Sequence, residues 1–363
     1  MTENLTIKIY KSFDEPLKDE WIKFEESSEN YCFQNFFWLN SWYEQYSKDK
    51  VIDPCIVVVY LNNKILAILP FTIHKIKLIN VLTWMGGKQA DYMCGLFAKN
   101  FSLNKNEFLN LWELIQKKLP TFDIVHFYNQ PEHINTIENP FIKYLQAWKS
   151  GYSSGINLTS NFEEYVVKNL RKKFLNDTKR SLNQLNNMGN LELKIHDNSN
   201  NENKVDFIEK ILEQKILRLN QLKIKDDFSE NIQKFYSNFN NDYFKNGELH
   251  IASLELDGKI IASHWGVIYK NVFYYLLPSI VKSDLMKFSP GRILLFNLIK
   301  WSFANSIKKF DLTLGEESYK KEWVNTKISL YDYYGPKSLK TYPLFIFLIL
   351  KLKTKIIIKK LLN

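Results

Sequence analysis

The residues best suited to chemistry lie between Gly247 and Trp323, in a stretch ending SPGRILLFNLIKWSFANSIKKFDLTLGEESYKKEW. In its last part, Gly315-Glu316-Glu317-Ser318-Tyr319-Lys320-Lys321-Glu322-Trp323, acids stand beside a tyrosine and a lysine. Tyr319 can protonate a leaving thiolate, and a carboxylate such as Glu317 can take a proton from an attacking nucleophile. A solvated helix with Trp323 turned inward would read the same way. His264 stands in a run that otherwise looks like core: Ile260, Ile261, Ala262, Trp265 and Val267. A neutral imidazole is a ready general base at physiological pH, although a lone histidine in such a strand is more often structural. Asp311 is equally ambiguous, because a mid-strand acid is rarely buried without a partner. Ser289-Pro290-Gly291-Arg292-Ile293-Leu294 opens a helix. A glycine there lets backbone N–H groups approach a ligand at the positive helix end, which suits a pyrophosphate, and Arg292 can add a bidentate contact. Pro-Gly is also a common helix start for structural reasons alone.

The elements that must position these groups follow from pattern. Val272 to Leu277 is an apolar, aromatic strand, the loop Ser279 to Pro290 leads to a helix starting near Gly291, and Lys309 to Leu314 is a strand. The polar segment leaves the C-terminal end of that strand, where α/β proteins gather reactive groups. Upstream, CIVVVYLNNKILAILPF (Cys55–Phe71) resembles HIASLELDGKIIASHWG (His250–Gly266), each a hairpin around Asn-Asn or Asp-Gly. The repeat implies two similar folding units. Leu69 faces His264 in this alignment, and Pro70-Phe71 face Trp265-Gly266, so the second copy is polar where the first is apolar. Catalysis is therefore expected in the second copy.

Between the hairpins the sequence predicts helices. Ser160-Asn161-Phe162-Glu163 fits a capping box, and Phe162, Val166, Leu170 and Phe174 follow at spacing four. Arg171, Lys172, Lys173, Lys179 and Arg180 fall on other faces, giving a basic amphipathic helix. Val205 to Ile224 is a second helix, with His196 to Asn203 as a surface loop before it, and KSGYSSG near 150–154 reads as the boundary between halves.

At 363 residues, 45% hydrophobic and 15% aromatic, the chain can bury two ordinary cores. Cys32, Cys55 and Cys94 show no metal-ligand spacing, and a reducing compartment is the simplest reading. The charged start MTENLTIKIYKSFDEPLKDEW has no apolar core of signal length, so a cytoplasmic protein is expected. The net charge of +10 accompanies a Lys-, Asn- and Ile-rich composition and by itself points weakly to nucleic acid or anionic lipid. Arginine is scarce, at Arg171, Arg180, Arg218 and Arg292, and each is a candidate for planar recognition of phosphate or carboxylate. The tail from Pro343 is apolar to Leu350 and then carries Lys351, Lys353, Lys355, Lys359 and Lys360. It is too interrupted to span a bilayer, and either packs on the body or lies on an anionic membrane surface.

Taken in order, FQNFFWLNSWYEQY, NKILAILPF, LRKKFLNDTKRSL, ASHWG, VFYYLLPS, SPGRILLFNLI and FDLTLGEESYKKEW resemble the CelD/BcsL-like acetyltransferases, a branch of the GNAT superfamily related to FemAB-type transferases. The resemblance covers most of the chain. It implies an α/β (α+β) fold of two tandem GNAT-like units, each a mixed, mostly antiparallel sheet flanked by helices. The units would be residues 1–152 and 153–342, with 343–363 as a basic apolar tail. It further implies acyl transfer from acyl-CoA to an amine or hydroxyl of a sugar or envelope-polysaccharide precursor, without a metal. Ser289, Pro290, Gly291, Arg292, Ile293 and Leu294 would correspond to the pyrophosphate loop, His264 to the base, and Tyr319-Lys320 to a Tyr-Lys pair. Glu317 and Asp311 complete the expected acid-base set. The superfamily's more familiar Gln/Arg-Gly-Gly loop is replaced by Ser-Pro-Gly-Arg. Two alternatives are a FemAB-type transferase using aminoacyl-tRNA, with the Lys168 to Arg180 helix on RNA, and a non-catalytic module for a glycan or lipid intermediate. Asp91 and Tyr92 of the first half either complete an acceptor cleft or belong to a supporting unit.

Overall fold

The computed structural model describes residues 4–47, 52–159, 161–196, 201–221, 230–239, 247–315, 319–337, 339–347 and 350. The chain divides into two compact units, Met1–Tyr152 with Ile328–Asn363, and Ser153–Lys327. The second unit thus ends at 327 rather than 342, because Leu330 to Pro336 pair with a strand of the first.

The first unit opens with β1 (Leu5–Tyr10), α1 (Leu17–Ser27), β2 (Ser28–Glu29) and α2 (Phe36–Tyr46). An antiparallel meander of β3 (Ile52–Leu61), β4 (Lys64–Ile76) and β5 (Ile79–Trp84) follows, with β6 (Leu96–Ala98) on β4. Helix α3 (Lys105–Lys118) crosses over to β7 (Ile124–Pro131), which is parallel to β5. A minimal pair, β8 (His133–Ile134) and β9 (Ile137–Glu138), and the short α4 (Pro140–Tyr144) lead to β10 (Trp148–Asn157).

The second unit repeats the plan. After α5 (Phe162–Asn169) and α6 (Lys172–Asn186) come β11 (Leu191–His196), α7 (Asn201–Gln221) and α8 (Glu230–Asn238). Then β12 (Gly247–Leu256), β13 (Lys259–Tyr269) and β14 (Val272–Ile280) form the meander, and α9 (Pro290–Ala304) crosses to β15 (Lys309–Leu314), parallel to β14. The last strand, β16 (Thr326–Pro336), returns the chain to the first unit. Each unit is a mixed, mostly antiparallel sheet flanked by helices, as expected.

The internal repeat holds at single-residue detail. Asn62-Asn63 (φ 51°, 59°) and Asp257-Gly258 (φ 49°, 75°) both make left-handed two-residue turns, which match the twist of the strands they join. One residue after each turn's strand begins, the register slips identically: Val59 pairs Ala67 and Tyr60 pairs Ile65, while Leu254 pairs Ala262 and Glu255 pairs Ile260. The core of the second unit packs Phe162, Tyr165, Leu185, Ile293, Leu294, Leu298 and Trp323 against the sheet residues Ala262, Phe273 and Phe310.

Local structure departs from the sequence reading in four places. The cap is Asn161, which accepts from the Glu164 N–H at 2.8 Å, and Ser160 lies outside the described residues. The spacing-four helix breaks at Leu170, since Leu170 and Arg171 are extended; both Leu170 and Phe174 still reach the core from the two resulting helices. The KSGYSSG boundary falls inside a strand, at Tyr152/Ser153, rather than in a loop. At Gly155 β15 runs close beside it: a Cβ there would lie 3.3 Å from the Phe310 carbonyl oxygen, whereas one on Gly151 would meet nothing within 4 Å. Of the loop expected from His196 to Asn203, His196 ends β11 and Asn201 to Asn203 open α7, and 197–200 lie outside the described residues.

Candidate active site

Strands β14 and β15 pair only at Val272–Lys309, Phe273–Phe310 and Tyr274–Asp311. Beyond that point β14 continues to Ile280 and β15 to Leu314 with no further pairing. The two parallel strands therefore separate, leaving facing edges that the ladder does not use. Two local features fix the opening. On one side, β13 and β14 slip register at Trp265/Gly266, where Trp265 pairs Leu277 and Gly266 pairs Tyr275; such a bulge bends a strand and increases its twist. On the other, Thr313 has φ 57°, a left-handed conformation costly for a β-branched residue. Asp311 holds it there: the buried carboxylate accepts the Thr313 N–H at 2.8 Å and pairs with the Lys309 ammonium at 3.0 Å. Asp311→Ala should cost about 2 kcal/mol in urea denaturation by stranding the Thr313 N–H, and Asp311→Asn, which keeps an acceptor, should cost less. Equal losses would remove this role.

Of the expected site residues, Tyr319 and Lys320 lie beside the opening. Tyr275, the first residue past the last ladder pair, is buried, and burial with the nearby Tyr319 pushes its phenol well above the usual range. Its ring lies flat on His264, centroids 4.6 Å apart. Tyr319 is 37% exposed, so it has solvent access that Tyr275 lacks. Lys320 is buried and donates to the Leu314 carbonyl at the end of β15. Glu317 lies outside the described residues. The segment is pinned from behind: Arg171 makes a two-pronged contact with Glu322, and Tyr165 donates to the Trp323 carbonyl. Arg171 thus performs the planar carboxylate recognition expected of a scarce arginine, but toward its own chain.

His264 is not at the surface of this opening. It is fully buried, and burial, then the neighbouring His250, hold it well below the usual imidazole range, so it is neutral at pH 7. His250, which the sequence reading passed over, is pushed down by burial to about 3. Their ring centroids are 6.0 Å apart, and none of the four ring nitrogens meets a hydrogen-bond partner in another described residue. The repeat alignment carried the missing signal: it sets His250 opposite Cys55, Ser253 opposite Val58 and Ser263 opposite Ile68. Those serines form a buried row across adjacent strands with Ser279, Ser253 opposite Ser263 and Ser263 opposite Ser279. Ser253 Oγ meets His196 Nε2 at 2.8 Å, Ser263 donates to Gln214 at 3.1 Å, and Ser279 Oγ has no partner among the described residues.

Helix α9 starts at Pro290, where its Pro-Gly pattern puts it. Ser289 is its N-cap residue at φ 55°, and its carbonyl takes the N–H of Arg292 and of Ile293. A Cβ on Gly291 would lie 2.7 Å from Ile280 Cδ1, so this glycine lets the helix start pack on the end of β14. Pro290, Ile293 and Leu294 are buried, the latter two in the core. Arg292 donates to Ser181 Oγ at 3.1 Å and lies over the Phe174 ring, while its Nε has no partner among the described residues. In the first unit, Tyr92 is fully buried and its carbonyl accepts from Gln34 at 2.7 Å, a structural placement.

Residues 172–321 match the family model described as acetyltransferase (GNAT) domain. This stretch includes β12 to β15 and the separated strand pair, so the likeness to an acetyltransferase domain falls on the second unit. Among solved structures the chain is similar to FemX, at 10% identity and TM-score 0.62, covering 90% of this chain and 97% of that one. It is similar to L-PGS from Bacillus licheniformis at 12% identity and TM-score 0.57, covering 95% and 98%. A conserved protein of unknown function from Bacteroides thetaiotaomicron matches at 12% identity and TM-score 0.53, covering 92% and 100%. These likenesses concern the fold. Comparison with curated proteins finds no match.

Proposed function

We propose that the second unit transfers an acyl group from a CoA thioester to an amine or hydroxyl of a sugar or envelope-polysaccharide precursor, in the manner of the CelD/BcsL-like acetyltransferases. The observation that carries this reading is the separation of β14 from β15 after Tyr274 and Asp311. Open strand edges offer an extended, amide-bearing donor backbone hydrogen bonds, and Arg292 on the first turn of α9 supplies a cation for its phosphates. The acceptor attacks the thioester carbonyl, the C–S bond breaks, and Tyr319 protonates the departing thiolate. Glu317 takes the acceptor's proton. His264 supports the Tyr275 ring, Lys320 secures the end of β15, and Asp311 sets that strand's bend; these three are positioning residues.

Calorimetric titration with acetyl-CoA and longer acyl-CoAs tests the donor. Binding is expected, and Arg292→Ala should weaken it about tenfold. Absence of binding to every acyl-CoA would overturn the reading. With thiol release followed from acetyl-CoA and an amino sugar, Tyr319→Phe should lower turnover about 100-fold at unchanged donor affinity, the usual scale for a lost general acid. Undiminished turnover would remove Tyr319 from that role.

A second reading, aminoacyl transfer from charged tRNA, is favoured by one feature: Lys168, Lys172, Lys173 and Lys179 are all exposed along α5 and α6. It predicts tRNA binding that weakens steeply with salt. Filter binding at low and high salt separates it from the first.

A further inference from the structure

The first unit carries a polar aromatic cluster that the acyl-transfer reading leaves without a role. The sequence FDIVHFY at 122–128 aligns with FDLTLGE at 310–316, so β7 is the repeat counterpart of β15. Like β14 and β15, its parallel pair separates early: β5 and β7 pair only at Val81–Ile124 and Leu82–Val125, after which β7 continues to Pro131. Here, however, the chain fills its own gap. The Trp84 indole donates to Gln130 at 3.2 Å, and the Met93 N–H donates to the Asn129 carbonyl at 3.1 Å. The edges left open in the second unit are bridged here by the unit's own residues.

What β7 does present lies on its other face. Phe127 packs with Trp84 and Tyr333, and strand alternation turns His126 and Tyr128 the opposite way, beside Tyr334 of β16. Tyr334 stacks on the His126 ring with centroids 4.4 Å apart, and Tyr128 meets the same ring at 5.2 Å. A bulge aims them. Tyr128 and Asn129 together stand opposite Asp332 alone, Asn129 is left-handed at φ 50°, and the Asp332 carboxylate accepts its N–H at 3.1 Å. His126, Tyr128 and Tyr334 are half-buried, and neither the phenols nor the imidazole meet a hydrogen-bond partner among the described residues. Burial, then Asp332, pushes both phenols up to about 12, while burial, then His74, pushes the imidazole down to about 4. The three rings therefore offer apolar flanks and uncharged polar tips at pH 7.

Such a set suits a saccharide. Tyrosine and histidine give an apolar body to a sugar's C–H face and polar tips to its hydroxyls. The carboxylate beside them opposes the phosphates of a nucleotide or phospholipid. We propose that His126, Tyr128 and Tyr334 form a saccharide-binding site on the first unit, with Asp332 fixing the bulge that aims Tyr128. That ligand class agrees with the sugar acceptor proposed above but is drawn from this cluster alone, and its binding is measured without an acyl donor. The test is binding of the full chain to an array of immobilised bacterial and plant glycans, followed by calorimetry with the soluble form of the strongest. Selective binding to one class of glycan is expected. The paired change Tyr128→Phe and Tyr334→Phe, which removes two hydroxyls and keeps both rings, should weaken it about tenfold with the melting temperature unchanged. His126→Phe, which removes the ring nitrogens, should weaken it in the same direction. The proposal is overturned if no glycan binds, if binding is indifferent to both variants, or if adenosine or uridine displaces the glycan, for then the rings are a nucleobase platform. Acyl-CoA binding and turnover can fail without altering any of these readouts.

Discussion

Lowering the pH from 7 to about 4.5 should destabilise the second unit by several kcal/mol, and removing two histidines should abolish most of that loss. Unfolded histidine titrates near 6.5, whereas His250 in the fold is held down to about 3 and His264 also lies well below its ordinary value. A base depressed in the folded state binds protons preferentially in the unfolded chain, so its contribution is complete above pH 6.5 and is lost as pH falls toward the folded value. At pH 4.5 the unfolded His250 has gained about two pH units of proton binding, worth about 2–3 kcal/mol at 1.4 kcal/mol per unit. His264, held down by burial and then by His250, adds to the loss in the same direction. The drop of about 2–3 kcal/mol from His250 alone is a large share of a domain's stability and corresponds to roughly 5–10 °C in melting temperature. The first unit supplies the replacements: its equivalent positions are Cys55 and Leu69. A His250→Cys, His264→Leu double variant should therefore fold and show a much flatter profile in denaturant titrations at the two pH values. A wild-type profile that is itself flat, or a double variant as acid-labile as wild type, would show that the rings are not held neutral.

Gly266→Ala should cost about 3 kcal/mol, the upper end for overpacking a tight site. A Cβ there would stand 2.3 Å from the Tyr274 carbonyl oxygen and 2.5 and 2.6 Å from His264 Cε1 and Nε2. A side chain can swing away from such an intrusion, but a carbonyl inside a paired strand cannot without breaking register. Adding His264→Ala should therefore restore only part of the loss, because it clears the ring and leaves the carbonyl. Denaturation of the two single variants and the double one checks this, and full recovery would place the constraint in the imidazole alone. The first unit tolerates Phe71 at the matching position because Phe71 there pairs with Trp84 in unbroken register, without the bulge that draws β13 toward β14. The glycine is thus tied to the same slip that opens the strand pair.

Much of the scaffold was legible because it is specified locally. Asn62-Asn63 and Asp257-Gly258 announce their hairpins, since few residues accept the left-handed turn they adopt. The strand Lys309–Leu314 and the helix beginning at Pro290 lie where their apolar patterns and Pro-Gly start put them. The helix pattern through Leu170 misled because two consecutive helices bury Leu170 and Phe174 in one core, and periodicity does not report a break between them. Likewise the small residues of KSGYSSG read as a boundary in irregular chain, whereas the segment is strand and Gly155 answers to the closeness of β15.

The sequence by itself determined the two-fold plan of this protein, its turns and elements, and the concentration of polar residues in the second copy, all consequences of short-range pattern and side-chain type. Only the tertiary structure decided what those polar residues do. Asp311 became the clamp on a bent strand, Gly291 the seat for Ile280, Arg171 the partner of Glu322, and His264 a neutral ring beneath Tyr275. Each of these roles depends on a neighbour from another element, and on the depth at which water is excluded, and neither quantity is written in the spacing of residues along a chain.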